Sequence, residues 1–162
     1  MQEREDLVMG PFESGEFIPV KLHTLHRHRV PYRIVRAGQT AAANIGRLKK
    51  DFNEKIRKGM VLVSAKENPK ACFEFEADVY LLFHANQISQ GFQVTVHTGN
   101  VCQTAVIATM NKTSLRTNER ARVKFRFISR PEYLTIGSRL IFREGATKGL
   151  GEITTIFLIE KT

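Results

Sequence analysis

The chain has 162 residues, of which 42% are hydrophobic and 25% are charged. This composition is typical of a globular protein and argues against a disordered one. No stretch approaches the ~18 uninterrupted apolar residues that a membrane-spanning helix requires, so we expect no membrane contact. Twenty-five Lys and Arg against 16 Asp and Glu give a net charge of +9, which favours a polyanionic partner without identifying one.

The first 69 residues have a β-rich pattern with one short helical signal. We predict strands near 17–25, 31–36, 40–46 and 60–64. Residues 51–58 predict one helical turn, which Asp51 caps and Gly59 ends. Asn68-Pro69-Lys70 predicts a hinge, because proline restricts the residue before it to extended conformations. We therefore place a domain boundary there, between residues 1–69 and 70–162.

Beyond about residue 70, apolar and polar residues alternate with a period of two, which is typical of half-buried antiparallel strands. The odd positions of 73–81 are apolar, and in 120–127 Val123, Phe125 and Phe127 face the core. Further strands are predicted at 92–97, 102–109, 138–143 and 152–159. Short strands at this spacing predict a closed barrel or a sandwich. Because the first 69 residues hold too few strands to close, we expect an open-edged sheet there, followed by a complete barrel of about six strands.

The two cysteines and the amino terminus indicate the cellular compartment in which the chain is expected. Cys72 and Cys102 are too few for a disulfide framework and are not spaced as a zinc ribbon, which fits a reducing compartment. We expect both to be buried small hydrophobic residues. The amino terminus carries charges where a signal peptide has its apolar run, so we expect a cytoplasmic location.

The sequence contains no catalytic motif that we recognise. A phosphate loop of the form Gly-x-x-x-x-Gly-Lys-Ser/Thr is absent, so we expect this chain alone to be no enzyme and to hold no cofactor. His23, His26 and His28 lie close together and invite a zinc interpretation. Cations surround them and no carboxylate or cysteine lies nearby, so we expect a solvated basic loop and no metal site.

Two basic features could contact phosphates. Residues 21–36 contain five Lys or Arg, three His and no acidic residue. The second feature is a stripe of cations every ~6.8 Å along one strand, formed by Arg120, Arg122, Lys124 and Arg126. An acidic stripe of matching period, Glu74, Glu76 and Asp78, would instead form a cross-strand charge ladder with it. We favour the ladder, which leaves 21–36 as the better phosphate-contact candidate.

Four runs of sequence point to a known family. They are 35–40 (VRAGQT), 56–63 (IRKGMVLV), 73–80 (FEFEADVY) and 142–151 (FREGATKGLG). In their order and spacing they resemble the second and third β-barrel domains of translational GTPases of the elongation factor Tu class. Residues 91–97 (GFQVTVH) and 127–134 (FISRPEYL) are most similar to the eukaryotic branch of GTP-binding proteins 1 and 2. The resemblance covers nearly the whole chain from about Asp6.

The resemblance implies an all-β fold of two small antiparallel β-barrels. Residues 1–69 would form a partial second-domain barrel and residues 70–162 a third-domain barrel, so we expect a carboxy-terminal fragment of a larger GTPase. GTP and Mg²⁺ would be bound by a separate GTPase domain that packs on both barrels. The implied partners are tRNA and the ribosome, and the chain is expected to be a monomer. The implied RNA-contact candidates are Arg27, Arg29, Arg33, Arg36, Arg143 and Lys148.

Two functions remain open. The first is a binding module that presents tRNA- and ribosome-facing barrels, in translation or in ribosome-associated quality control. The alternative is a protein-interaction scaffold for a GTPase domain, without direct RNA binding. A general single-strand binder is disfavoured because Phe125 and Phe127 face the core, where they cannot stack on bases. All six candidate cations are predicted to be exposed, because an unpaired arginine is costly to bury.

Overall fold

Strands make up nearly all the regular structure in the computed structural model, which describes residues 6–46, 48 and 55–159. These residues form fourteen β-strands and a single 3₁₀ turn at Ala65–Glu67, without an α-helix. The predicted all-β fold class is therefore confirmed. Nowhere in these ranges is there a helix with the length and apolar character needed to cross a bilayer.

The amino-terminal segment, of which residues 6–46, 48 and 55–69 are described, forms two open sheets. Its strands are β1 (Asp6–Gly10), β2 (Ile18–Lys21), β3 (Thr24–Arg27), β4 (Val30–Tyr32), β5 (Ala42–Asn44) and β6 (Val61–Ser64). One antiparallel sheet has the order β2-β1-β6 and the other has the order β4-β3-β5. Their shared core contains the buried side chains of Leu7, Met9, Phe12, Val20, Leu22 and Leu25. Neither sheet closes, as expected for an incomplete barrel.

Three local predictions for this segment need correction. The strand predicted at 17–25 is divided, because the chain leaves one sheet after Lys21 and enters the other at Thr24. The strand predicted at 31–36 ends at Tyr32, since the chain then turns around Gly38, whose φ is +80°. The helical turn predicted at 51–58 falls partly on residues 51–54, which lie outside the described residues. Its remainder, 55–58, is an irregular turn.

Six strands close into an antiparallel barrel. The strands beyond Pro69 are β7 (Cys72–Phe83), β8 (Gln87–Ile88), β9 (Gln93–Thr98), β10 (Val101–Met110), β11 (Leu115–Arg116), β12 (Arg120–Phe127), β13 (Arg139–Glu144) and β14 (Thr147–Leu158). Around the barrel the order is β10-β12-β7-β14-β13-β9, and β8 pairs with β11 separately. The complete barrel predicted for this part of the chain is confirmed. The domain boundary at Pro69 stays a prediction.

Aromatic rings fill the barrel core. Phe75, Phe125 and Phe142 are each completely buried. The Phe75 and Phe125 rings stack with centroids 5.3 Å apart, and the Phe125 and Phe142 centroids are 5.9 Å apart. The inward positions are the odd-numbered residues in β12 and, from Phe75 to Leu81, in β7, as the period-two pattern predicts. The pattern is wrong at the start of β7, where Cys72 is completely buried and Phe73 is exposed.

The predicted charge ladder between β7 and β12 is confirmed. The two strands pair so that Arg126 lies opposite Glu74, Lys124 opposite Glu76 and Arg122 opposite Asp78. Arg122 Nε lies 3.0 Å from Asp78 Oδ1, and Lys124 Nζ reaches diagonally to within 2.6 Å of Glu74 Oε2. The hydrogen bond and the charge of Asp78 raise the pKa of Arg122. Three of the four cations in the stripe therefore face acidic residues within the sheet, whereas Arg120 lies opposite Tyr80 with its guanidinium over the ring.

The two cysteines have different environments, and the prediction that both are buried is wrong for Cys102. Cys72 is completely buried, whereas Cys102 lies on the outer face of β10, where the even-numbered residues point away from the core. Burial, together with the nearby charge of Glu132, raises the pKa of the Cys72 thiol to about 12. Cys72 is therefore protonated at neutral pH and shielded from reagents.

We expect iodoacetamide at about pH 8 to alkylate Cys102 in the folded protein and to leave Cys72 unmodified, because the thiolate is the reactive form. Mass spectrometry of the tryptic peptides measures the two sites separately. In guanidinium chloride both cysteines should react, which controls for peptide detection. Modification of Cys72 at the same rate as Cys102 in the folded protein would contradict the assigned burial.

Candidate nucleic-acid interface

The basic segment 21–36 is organised as a β-hairpin, where the sequence predicted a loop. Strands β3 and β4 pair directly, with Arg27 opposite Val30, and His28 and Arg29 form the two-residue turn between them. Both turn residues have positive φ, +49° for His28 and +67° for Arg29. This conformation matches the twist of a hairpin, and Asn or Gly usually provides it. The turn therefore places an exposed arginine and an exposed histidine at the tip of the hairpin.

The candidate cations in this hairpin differ in exposure. Arg29, Arg33 and Arg36 are exposed, as predicted. The prediction is wrong for Arg27, which is half-buried because it lies on the same face of β3 as the core residue Leu25. The Arg27 guanidinium lies over the Tyr32 ring, 5.4 Å from the centroid, and its Nε is shielded from solvent without a hydrogen-bond partner.

A shallow pocket opens beside the hairpin turn. The lining residues are His26, Arg27, His28, Arg29, Gly38, Gln39, Thr40, Ala41 and Ala42. The turn at the opposite wall is held by Gln39, whose side-chain Oε1 accepts a 3.0 Å hydrogen bond from the backbone amide of Arg36. The lining contains two arginines and two histidines and no acidic side chain. Such a lining favours an anion over a cation.

A second cationic patch lies at the end of the barrel hairpin β13–β14. Arg143 and Lys148 are directly opposite each other in the register of these strands, and both are exposed as predicted. Like charges in directly opposed positions destabilise a sheet unless a counter-charge relieves them. The arrangement therefore favours a bound anion such as a phosphate. This patch and the basic hairpin lie in different sheets.

The barrel also carries an apolar row on its outer face, which the sequence pattern did not lead us to predict. In the strand register Tyr80 lies opposite Leu150, and Leu150 lies opposite Ile141. Leu150 is 45% exposed and Ile141 is 57% exposed. The row lines a groove together with Arg120 and other residues of β7, β12, β13 and β14. The sequence did contain a signal, since three consecutive apolar residues at 140–142 of a strand must place one of them outside.

Possible metal ligands do not cluster in the part of the chain that the structure describes. Among the described residues there is no group of three His, Cys, Asp or Glu side chains close enough to hold an ion together. The histidines singled out in the sequence instead contribute to the basic hairpin, where His26 and His28 line the shallow pocket.

The fold and these surfaces define an all-β chain in which a closed six-stranded barrel follows two open sheets. Exposed cations lie on one hairpin of the amino-terminal segment and on one hairpin of the barrel. The chain is 48% identical over 157 residues to GTP-binding protein 2 of Mus musculus and of Homo sapiens, and 47% identical over 150 residues to GTP-binding protein 1 of Xenopus laevis. The predicted resemblance to this branch is confirmed, and the chain is homologous to part of these proteins.

The matches cover 96% and 93% of this chain but only 25% and 22% of the respective relatives. The chain therefore spans about a quarter of the length of the curated relatives it matches. No protein-family model matches the chain.

Proposed function

We propose that the chain is the RNA-facing β-barrel portion of an elongation factor Tu-like GTP-binding protein, which acts in the cytoplasm in translation or ribosome-associated quality control. In this proposal the parent protein hydrolyses GTP. The GTP and Mg²⁺ are held by a GTPase domain outside this chain, which packs on both the amino-terminal segment and the barrel. The chain itself contributes binding and no catalytic group, and its partners are tRNA and the ribosome.

The observation that carries the proposal is the exposure of five candidate cations. They lie at the turn of the β3–β4 hairpin, in the segment just after it, and on the β13–β14 hairpin. Arg29, Arg33 and Arg36 extend from the acid-free segment 21–36, and Arg143 stands opposite Lys148. The contrast with the β7–β12 ladder supports this choice, because the ladder cations face acidic residues within the sheet. A cation that faces no acidic residue within the sheet contributes more binding free energy when it contacts a phosphate, since each such contact releases a condensed counterion.

The arrangement would work by positioning the RNA. Arg36 lies beside the turn fixed by Gln39, and Arg29 is held by the hairpin turn, so neither starts from a disordered loop. Preformed sites lose less conformational entropy on binding than flexible ones. Phosphate contacts of this kind fix register and orientation on the nucleic acid and carry little sequence information. The proposed module therefore reads the shape of tRNA rather than its bases.

Replacing Arg29, Arg33 and Arg36 together by alanine should weaken tRNA binding and flatten its salt dependence. The slope of log K against log salt is expected to fall by about 0.9 for each duplex phosphate that the variant no longer neutralises. Fluorescence anisotropy with labelled tRNA at several salt concentrations measures the slope. Arg27 is left in place because its packing on Tyr32 is part of the fold.

The matched control replaces Lys58, Lys66 and Lys70, three exposed lysines outside the hairpin, by alanine. It removes the same charge and should leave the slope nearly unchanged. An equal decrease in both variants would mean that the effect is one of net charge. An unchanged slope in a folded hairpin variant would exclude this hairpin as a phosphate site.

A second candidate function is a protein-interaction scaffold for the GTPase domain, without direct RNA binding. The outer apolar row of Tyr80, Leu150 and Ile141 supports it, because exposed apolar side chains in contiguous positions mark interaction surfaces. A steep salt dependence of tRNA binding would favour the first function. Absence of that dependence would favour the scaffold.

A further inference from the structure

Glu132 is a buried acidic residue on the barrel, and no sequence pattern pointed to it. Its side chain is 2% exposed. Its backbone is fixed by a two-way bridge to Cys72, in which each amide donates to the other carbonyl at 2.9 and 3.0 Å. The Glu132 carboxylate therefore has a fixed position at the surface where the barrel meets the amino-terminal segment.

Three side chains donate to or pair with this carboxylate. Arg57 Nη1 lies 3.2 and 3.1 Å from the two carboxylate oxygens. Gln103 Nε2 donates to Oε1 at 2.8 Å, and Arg130 Nε lies 3.5 Å from the same oxygen. Gln103 and Arg130 belong to the barrel side, whereas Arg57 comes from the amino-terminal segment. The ion pair between Arg57 and Glu132 thus joins the two parts of the molecule.

The Arg57 guanidinium makes further contacts on both sides. Its Nη2 donates to the carbonyl of Pro11 at 3.3 Å in the amino-terminal segment and to that of Pro131 at 3.2 Å beside the barrel. The Arg57 side chain is only 15% exposed. A planar guanidinium with several fixed acceptors defines both distance and angle, which a flexible ammonium does not.

Two further contacts between the described residues of the two parts are less directional. Phe17 meets Tyr133 edge-on with centroids 6.0 Å apart. A side chain added at Gly15 would meet Ile159 and Pro131, so the two surfaces approach closely there. Apolar packing tolerates sliding, whereas a buried charge must stay beside its partner because solvent is not available to replace it. The ion pair is therefore the contact that fixes one relative orientation.

We propose that Arg57 and Glu132 are positioning residues that hold the basic hairpin and the Arg143–Lys148 patch in one fixed arrangement, so that both contact the same RNA at once. This inference rests on the proposed function, because it assumes that both patches bind phosphates. When two binding patches are held rigidly relative to each other, binding of the RNA to the first patch places it at a high effective concentration near the second. Neither positioning residue is required to touch the RNA.

The experiment uses two variants of the full chain. The double variant Arg57→Met with Glu132→Leu removes both charges of the pair together. Arg130 loses its contact with the carboxylate, but its side chain is 38% exposed, so solvent reaches it and the double variant is expected to fold. Glu132→Gln keeps the side-chain volume and places a neutral amide beside the guanidinium. Ile107→Val, at a buried barrel position away from the pair, controls for a general loss of stability.

The first readout is orientation, measured without RNA. Spin labels are attached to the exposed native Cys102 and to an engineered Thr40→Cys, while Cys72 stays unlabelled because it is buried. Pulsed dipolar spectroscopy is expected to give one narrow distance distribution for the parent protein and for Ile107→Val. The double variant and Glu132→Gln should both broaden this distance distribution. A distribution that stays narrow in both would overturn the proposal.

The second readout compares two RNAs. Affinity for tRNA is expected to fall about tenfold or more in both Glu132 variants, and affinity for a short RNA hairpin that reaches one patch should change by less than about twofold. Equal weakening for both RNAs, or unchanged tRNA affinity, would overturn the proposal. If the parent protein shows no salt-dependent tRNA binding, the proposed function fails, and the orientation measurement still decides the role of the ion pair.

Discussion

Phe125→Ala is expected to lower the free energy of unfolding by about 3–5 kcal/mol, as is usual when a buried phenylalanine is truncated. The Phe125 ring is completely buried and lies between Phe75 and Phe142 in the barrel core. Because the barrel is closed, the strands around the missing ring cannot move together to fill the cavity. Urea unfolding followed by circular dichroism measures the decrease.

Phe73→Ala is the matched control, because Phe73 lies on β7 with its side chain 37% exposed. Its loss of unfolding free energy should stay below about 1 kcal/mol. Phe125→Leu fills most of the cavity and replaces the alanine variant if that one does not fold. Phe125→Leu should be less stable than the parent protein and more stable than Phe125→Ala. If Phe125→Ala is no less stable than Phe73→Ala, the assigned core is wrong.

The barrel could be predicted from the sequence because its strands obey a local rule. Residues 73–81 and 120–127 alternate in sequence, and from Phe75 onward the alternation indicates which side chains fill the core. Phe73 is the exception, because Cys72 and not Phe73 points inward at the start of β7. The charge ladder followed from the same rule, since acidic and basic stripes of equal period match when their strands pair. For the core positions the neighbouring residues contain the information. The ladder also required that β7 and β12 pair, a contact between distant residues that the matching stripes suggested and the structure shows.

The amino-terminal segment could be predicted only in outline. Strand β1 begins at Asp6 in a charged stretch, and β2 is four residues long, so neither gives a clear period-two pattern. The change of sheet at Leu22 and His23 depends on which strands meet across the core, which no local signal specifies. Arg27 was expected in solvent because arginines are seldom buried, but its place beside Leu25 on β3 directs it inward.

The cationic part of the candidate site could be predicted because it depends on local composition. The ion pair that positions it could not be predicted, because its two residues are far apart in the sequence. The basic character of 21–36 is visible in the sequence. Arg143 and Lys148 were singled out by the resemblance alone, and Lys148 lies on β14, which begins at Thr147 and not at the predicted residue 152. Glu132 gives no periodic signal, and its partner Arg57 is 75 residues away. A buried ion pair between such distant residues emerges only from the packing of the amino-terminal segment on the barrel.

The second large effect is expected at Gly149, on the inner face of β14. Gly149 is buried, and a Cβ atom added there would overlap the end of the Phe142 ring, with Cε2 only 2.7 Å away. The ring is itself completely buried, so it cannot turn out into solvent to make room. Gly149→Ala should therefore lower the free energy of unfolding by about 1–3 kcal/mol, the usual cost of overpacking a core. Urea unfolding of the single variant measures this decrease.

A second substitution tests whether the loss of stability comes from the overlap with Phe142 or from any side chain at position 149. Phe142→Leu removes the end of the ring and on its own creates a cavity, which should also destabilise the barrel. Combined with Gly149→Ala, the added methyl group occupies part of that cavity. The double variant should then be more stable than the sum of the two single losses predicts, with a coupling above about 0.5 kcal/mol, as expected for residues in contact. Strictly additive losses would show that Phe142 does not pack over Gly149, and the assigned register of β13 and β14 would be wrong.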